Sequence, residues 1–406
     1  MKHVLNELLR QQSGVAGLSL EEIEAEVAAA PEQPEAVDVV AAEVAEEDPL
    51  ETELDEHEIA LDEQEEAVEE VEQGADVSEK LEETVQAMEA LVESGSCSLI
   101  EYTALSEYAG IQMSRVTGKQ SSGFSMESIN TPEGRIDGLR LALEAVKADK
   151  VNVKKAVDEA AAKVQKEEVS LWNKFLALLG SRTKRIKVIL SELSKVEAPV
   201  REEVTIGSGI AKYMVDNDAS KTAAVVTKAT EYFYNDLYDQ LADWSARKVK
   251  APKINSTAFS DLPGDFDLSC DGSRLNFDYD IDKGQAFTEK TLSKNEIKKV
   301  LGYAERIVAT LRKASTDFMG FSGWVANIYV AMSKGSNAAN VVGGLATGMI
   351  PVAIVGAVGI GFAHLLGMVF SRSYNTMVKV NRVFTVFTRF ADALMGYATK
   401  HISAYK

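Results

Sequence analysis

The sequence predicts a mainly α-helical protein: a helical bundle with a small β-hairpin insert, preceded by an acidic N-terminal arm that is largely disordered or loosely helical. Three observations lead there. Apolar residues recur at three- and four-residue spacing through most of the chain after residue 128, a short stretch within 265–281 alternates with period two, and the charge divides along the length. Of the net charge of −20, residues 1–127 hold 33 Asp and Glu against 5 Lys and Arg, whereas residues 128–406 hold 30 against 38. Such asymmetry concerns partners and processing more than fold, because one end repels polyanions and the other attracts them.

The acidic arm comes first. Between Gln11 and Glu79 there are 25 carboxylates and no Lys or Arg, with Pro31, Pro34 and Pro49 interrupting the run. Self-repulsion and few large apolar side chains argue against an independently ordered arm. Val44, Leu54, Ile59, Leu61, Val68 and Val71 stand among strong helix formers, so the later half is expected to become helical transiently or with a partner. Cys97 and Cys270 are far apart and belong to no CxxC pair, so neither a disulfide framework nor a zinc site is expected and a reducing compartment fits. Near the start, Lys2 and Arg10 flank too short an apolar stretch for a secretory signal.

Downstream, three further regions are expected: a basic amphipathic helical region over 128–250, a hairpin and loop insert over 251–292, and a helical region over 293–406. Thr131-Pro132-Glu133 places a capping hydroxyl and an N1 proline ahead of Ile136, Leu139, Leu143 and Val146, which predicts a long helix running through Val164. Trp172, Phe175, Leu176 and Leu179 add an apolar turn, with an end or bend expected at Gly180-Ser181 before a second face of Ile186, Ile189, Leu190 and Leu193. The opposite stripe of that face, with its neighbours, is the densest basic cluster: Arg182, Lys184, Arg185, Lys187 and Lys195. A row of cations on one helix suits phosphate neutralisation without base reading, hence non-specific double-stranded DNA, and equally suits an ordinary solvated face.

Two helices are expected across Ser208–Lys248, with Tyr213, Phe233, Tyr234 and Trp244 as core. Asp265–Leu268 and Asn276–Ile281 then alternate around Cys270-Asp271-Gly272-Ser273, a β-hairpin pattern. Asp278, Asp280, Asp282 and Glu289 mimic part of a calcium loop, but Lys283 stands where the sharp turn needs glycine, so strand alternation explains them better and no metal is expected. Helix resumes from Ser293 to about Met332, carrying Lys294, Lys298, Lys299, Arg306, Arg312 and Lys313 as a second basic surface. Gly335–Ser371 contains no Asp, Glu, Lys or Arg in 37 residues, and is read as a helical hairpin turning at Pro351, buried in the bundle or, alternatively, inserted in a membrane. His364 within it is expected to be a satisfied core histidine, and Tyr374–Tyr405 a closing amphipathic helix.

Two junctions lie near the charge reversal. One reads Leu91-Val92-Glu93-Ser94 and the other Ser125-Met126-Glu127-Ser128, each an aliphatic or small residue, any residue and Glu before a small residue, close to Ser/Gly-rich sequence where chain cleavage is sterically open. This pattern resembles the sites cut by prohead proteases of large tailed bacteriophages. Together with an acidic leader and a basic helical remainder, the chain resembles the internal head (inner-body) proteins of jumbo tailed bacteriophages. That resemblance implies an acidic propeptide that directs packaging into the prohead and is then cut away, capsid or scaffold proteins and the prohead protease as partners, and residence beside the genome inside the virion after a period in the host cytoplasm, with co-ejection alongside the DNA as a further step. The alternative is a membrane-active or pore-forming helical protein that inserts 335–371. No nucleophile, metal-ligand or phosphate-loop constellation stands out, so no catalytic residues and no cofactor are expected.

Overall fold

In a computed structural model, residues 49–117, 130–247, 250–271, 274–333 and 361–406 are described. The acidic sequence opens with helix α1, Pro49–Ser94. Leu54, His57, Leu61, Gln64, Val68 and Val71 alternate three- and four-residue steps along one buried stripe, continued by Val77, Leu81, Val85 and Met88. The helix expected to need a partner has found one in its own chain. Each large apolar side chain on that stripe contributes about 1.5–3 kcal/mol when buried, which offsets the repulsion among the exposed carboxylates. The helix stops where Gly95 adopts φ 66°, its amide donating to the Val92 carbonyl at 3.3 Å. Helix α2, Leu99–Thr117, starts at once on a reciprocal cap: the Glu101 amide donates to Ser98 Oγ at 3.2 Å and the Ser98 amide to Glu101 Oε2 at 2.8 Å.

Helix α3, Pro132–Lys195, begins at the expected Thr131 cap, with the Gly134 amide donating to Thr131 Oγ1 at 3.0 Å. It does not end or bend into two helices at Gly180: one helix of 64 residues continues through it. A single glycine costs about 1 kcal/mol in a helix, and burial of Leu179, Arg182 and Ile186 around it outweighs that. Helices α1 and α3 run antiparallel, as shown by His57 beside Phe175 at one end and Glu89 beside Lys147 at the other.

Strand β1, Glu203–Ile206, and the short helix α4, Ser208–Ala211, lead to helix α5, Ala219–Tyr232, which passes through a π-helical turn, Phe233–Leu237, into helix α6, Tyr238–Arg247. Tyr213, Phe233 and Trp244 are core, as expected, with Leu237 and Leu241 beside them, whereas Tyr234 is only half-buried and donates to Asp317 Oδ2 at 2.7 Å. The predicted hairpin is present as β2, Asp265–Asp271, and β3, Arg274–Asp280, paired antiparallel with Leu268 opposite Phe277. Asn276, Asp278 and Asp280 line its exposed face, in keeping with simple alternation. A second ladder that the sequence did not announce joins β1 to β4, Phe287–Lys290, with Val204 opposite Glu289. Four-residue strands carry too little alternation to be recognised alone.

Helix α7, Lys294–Ser333, is capped by Ser293 and Glu296, and helix α8, Gly361–Ser403, closes the chain. The last helix is not the one-sided amphipathic helix expected. From Phe370 to Ala398 it is buried around nearly its whole circumference, with α1, α3, α6, α7 and β3 packed about it. Its buried Thr376, Thr385 and Thr388 hydroxyls satisfy themselves on the carbonyls of Arg372, Asn381 and Phe384 at 2.8, 3.0 and 2.8 Å, so these three polar residues sit in the core with their hydroxyls paired. Phe384 lies at the centre, against Trp172, Phe175, Phe233 and Phe318. Among the described residues no helix is long and apolar enough to cross a membrane. Residues 334–360, which hold most of the uncharged segment and its proposed turn at Pro351, lie outside the described residues, as does the side chain of His364.

Candidate functional site

The charge split seen along the sequence closes on itself in three dimensions. Each residue of the α1 buried stripe from Leu54 to Val71 is followed by a carboxylate: Asp55, Glu58, Asp62, Glu65, Glu69 and Glu72. These form a ladder beside the apolar seam, and downstream cations grip it in pairs. Arg389 Nη2 reaches Asp55 at 2.6 Å and Glu58 at 2.8 Å. One heptad earlier on α8, Arg382 joins Asp62 and Glu65, with Lys379 Nζ 2.6 Å from Glu65. Arg274, at the start of β3, takes the third pair, Glu69 at 2.9 Å and Glu72. Further along, Lys150 and Lys147 of α3 meet Glu82 and Glu89.

The α8 cations of these pairs are partly desolvated, which separates them from ordinary surface ion pairs such as Arg274–Glu69 and Lys147–Glu89. The Lys379, Arg389 and Arg382 side chains are 14%, 15% and 26% exposed. Burial works against the charge of Arg389, yet Glu58, helped by Asp55, holds its pKa above the ordinary arginine value. Without α1, these cations would lie on a central helix beside apolar side chains. The acidic helix is therefore both part of the core and the counter-charge of the helix at its centre.

Under the ladder lies a polar layer. His57 donates from Nε2 to Asn381 Oδ1 at 3.0 Å and stacks on Phe175 at 5.5 Å between ring centroids, and burial keeps its pKa below the usual value. Glu168, fully buried, accepts from Trp172 Nε1 at 2.7 Å and from Gln64 Nε2 at 3.3 Å. Burial pushes its pKa up to about 7 against the downward pull of those two hydrogen bonds.

The expected DNA-contact residues separate into two groups. Lys184, Lys187 and Lys195 are exposed along α3, and Arg185 is half-buried. Arg182 must be removed from the stripe: its side chain is 0% exposed and grips Asp392 through Nε at 3.1 Å and Nη2 at 2.8 Å, while Nη1 donates to the Leu178 carbonyl at 3.1 Å. The reason is periodicity, because Arg182 falls on the same side as Leu179 and Ile186 and faces the core. Of the cleavage residues, Glu93 and Ser94 are exposed in the last turn of α1, with Leu91 half-buried. Ser125, Glu127 and Ser128 lie outside the described residues. On α7, Lys298, Lys299, Arg312 and Lys313 are exposed, and Arg306 faces Glu231 at 3.8 Å. No group of metal-binding side chains occurs among the described residues.

Sequence reasoning missed the ladder and its grips, Arg274, Lys379, Arg382 and Arg389. A signal existed: six carboxylates at alternating three- and four-residue steps, and two arginines seven residues apart. No protein-family model, curated protein or solved structure matches the chain.

Proposed function

We propose that the chain is a non-enzymatic internal structural protein of a tailed-phage virion, made with its basic surface partly neutralised by its own acidic segment and cut by a prohead protease inside the assembling head. The observation that carries this reading is the carboxylate ladder of α1, held by cations from the downstream half of the chain. Such internal pairing lowers the cationic charge the precursor offers to nucleic acid, since a tethered anion competes at high effective concentration for Arg274, Lys379, Arg382 and Arg389, while the α3 lysines stay open. The exposed turn after Glu93 supplies a reachable cleavage site, and the exposed Lys184, Lys187 and Lys195 supply sequence-independent phosphate contacts. Capsid or scaffold proteins and double-stranded DNA are the partners in this reading, and the virion interior is the place.

The deciding measurement is the amino terminus of the protein recovered from assembled particles, read by mass spectrometry. A start at Ser94 or Ser128 is expected, with Glu127→Gln or Glu93→Gln abolishing the corresponding cut. Recovery of chains that all begin at Met1 would remove the propeptide from the proposal.

A further inference from the structure

We infer that a cut after Glu93 does not by itself release the acidic helix: the severed chain that ends at Glu93 stays seated through residues 49–93 in the groove between α3 and α8, and this groove is a binding site for an acidic amphipathic helix. The inference rests on the cleavage reading of the Glu93–Ser94 junction and adds what becomes of the severed segment.

The ligand features come in repeating units. One unit of α1 is an inward pair with an acid after each member: Leu54 and His57 with Asp55 and Glu58, then Leu61 and Gln64 with Asp62 and Glu65, then Val68 and Val71 with Glu69 and Glu72. The groove answers each unit. Leu171 and Val378 receive Leu61, Phe175 and Asn381 receive His57, and Val164 with Glu168 receives Gln64. Arg389, Arg382 and Arg274 take the successive acid pairs. An apolar floor with a cationic rim at heptad spacing selects against a bare polyanion, which brings no apolar stripe, and against a neutral helix, which leaves the rim unpaired.

On the ligand side, every one of these contacts comes from a residue before Glu93. Cleavage removes only the peptide bond into the turn at Gly95, while the other side of the turn stays fixed because Arg135 Nε donates to the Cys97 carbonyl at 2.8 Å. Leaving is also unfavourable for the fragment itself. Residues 49–93 carry 18 carboxylates and one Lys, so in isolation the segment loses the cations that hold its helix together.

The test uses the full chain with a site-specific protease sequence inserted after Gly95. The folded protein is cut, then passed through gel filtration at roughly physiological and at about 1 M salt. Both pieces are expected to co-elute at the lower salt and to part under denaturant. A fragment that elutes alone at the lower salt, or a turn that resists cutting in the folded protein, overturns the inference. Arg382→Glu is expected to speed loss of the fragment by tenfold or more on the order of magnitude, and Asp62→Lys with Glu65→Lys in the same chain to restore retention. Retention unchanged by Arg382→Glu would remove the cationic rim from recognition. These readouts are independent of virion biology: particles whose protein starts at Met1 would end the cleavage reading while leaving the measured retention in place.

Discussion

At the scale of single residues, burial decides chemistry that composition leaves open. Arg182 and Lys184 are two positions apart on one helix, yet the first is a core residue clamped on Asp392 and the second faces water. A substitution at Arg182 therefore reports on folding, not on DNA. Glu168 gives a sharper handle. Its folded pKa, about 7, is raised above the ordinary 4.5, so between those values the folded state holds a proton that the unfolded state has given up. Its contribution is accordingly most favourable below pH 4.5, falls as pH rises toward 7, and is flat beyond. Glu168→Gln keeps an acceptor for Trp172 and carries no charge at any pH. It also turns an amide toward the Gln64 amide, a cost independent of pH, so the variant is expected to gain about 1–3 kcal/mol relative to wild type between pH 4.5 and pH 8, measured by urea unfolding across the range. His57 has a lowered pKa and the opposite slope, but it is common to both proteins and drops out of the difference. A constant difference across the range would mean that Glu168 is not protonated in the fold.

At the scale of elements, local rules foretold starts better than ends. The Thr131 cap was readable because capping requires specific side chains at fixed offsets, and helix resumes at Ser293 as expected, on a cap shared with Glu296. Gly180 misled because propensity is a small term beside the packing of a helix on both sides of it. A Cβ at Gly180 would meet nothing within 4 Å, and the helix needs no glycine conformation there. Gly180→Ala is therefore expected to raise stability by about 1 kcal/mol in thermal or chemical unfolding. A loss of stability would show that α3 needs freedom at that point. Helix α8 misled in the other direction: its sequence holds polar residues on every side, yet threonines that bond to their own helix and arginines that meet α1 let it run through the centre.

At the scale of the whole molecule, charge is the organising quantity. The chain is strongly acidic overall, but its acids are spent partly on internal cations, and the exposed α3 lysines remain turned to solvent. Binding of duplex DNA by the full chain is expected only at low ionic strength, with affinity falling steeply as salt is added. Replacing Lys184, Lys187 and Lys195 together by Gln is expected to reduce the slope of log affinity against log salt by roughly 2–3, near 0.9 per lost phosphate contact. Equal slopes would place the contact on another face, the α7 cations being the next candidate.

Pattern in the chain was enough for what depends on near neighbours: the helical class, the β2–β3 hairpin, the Thr131 cap, and the Phe233–Trp244 core. It was also enough to show that the acidic and basic ends differ, since charge is additive along a sequence. It did not say that the ends meet. That Asp55 pairs with Arg389, 334 positions away, follows from the antiparallel course of α1 against α8, and that Arg182 turns inward follows from what α3 packs upon. Helical periodicity states which residues share a face but not what that face touches. Only packing turned a self-repelling acidic stretch into a core helix, because the cations that stabilise it are assembled by the fold.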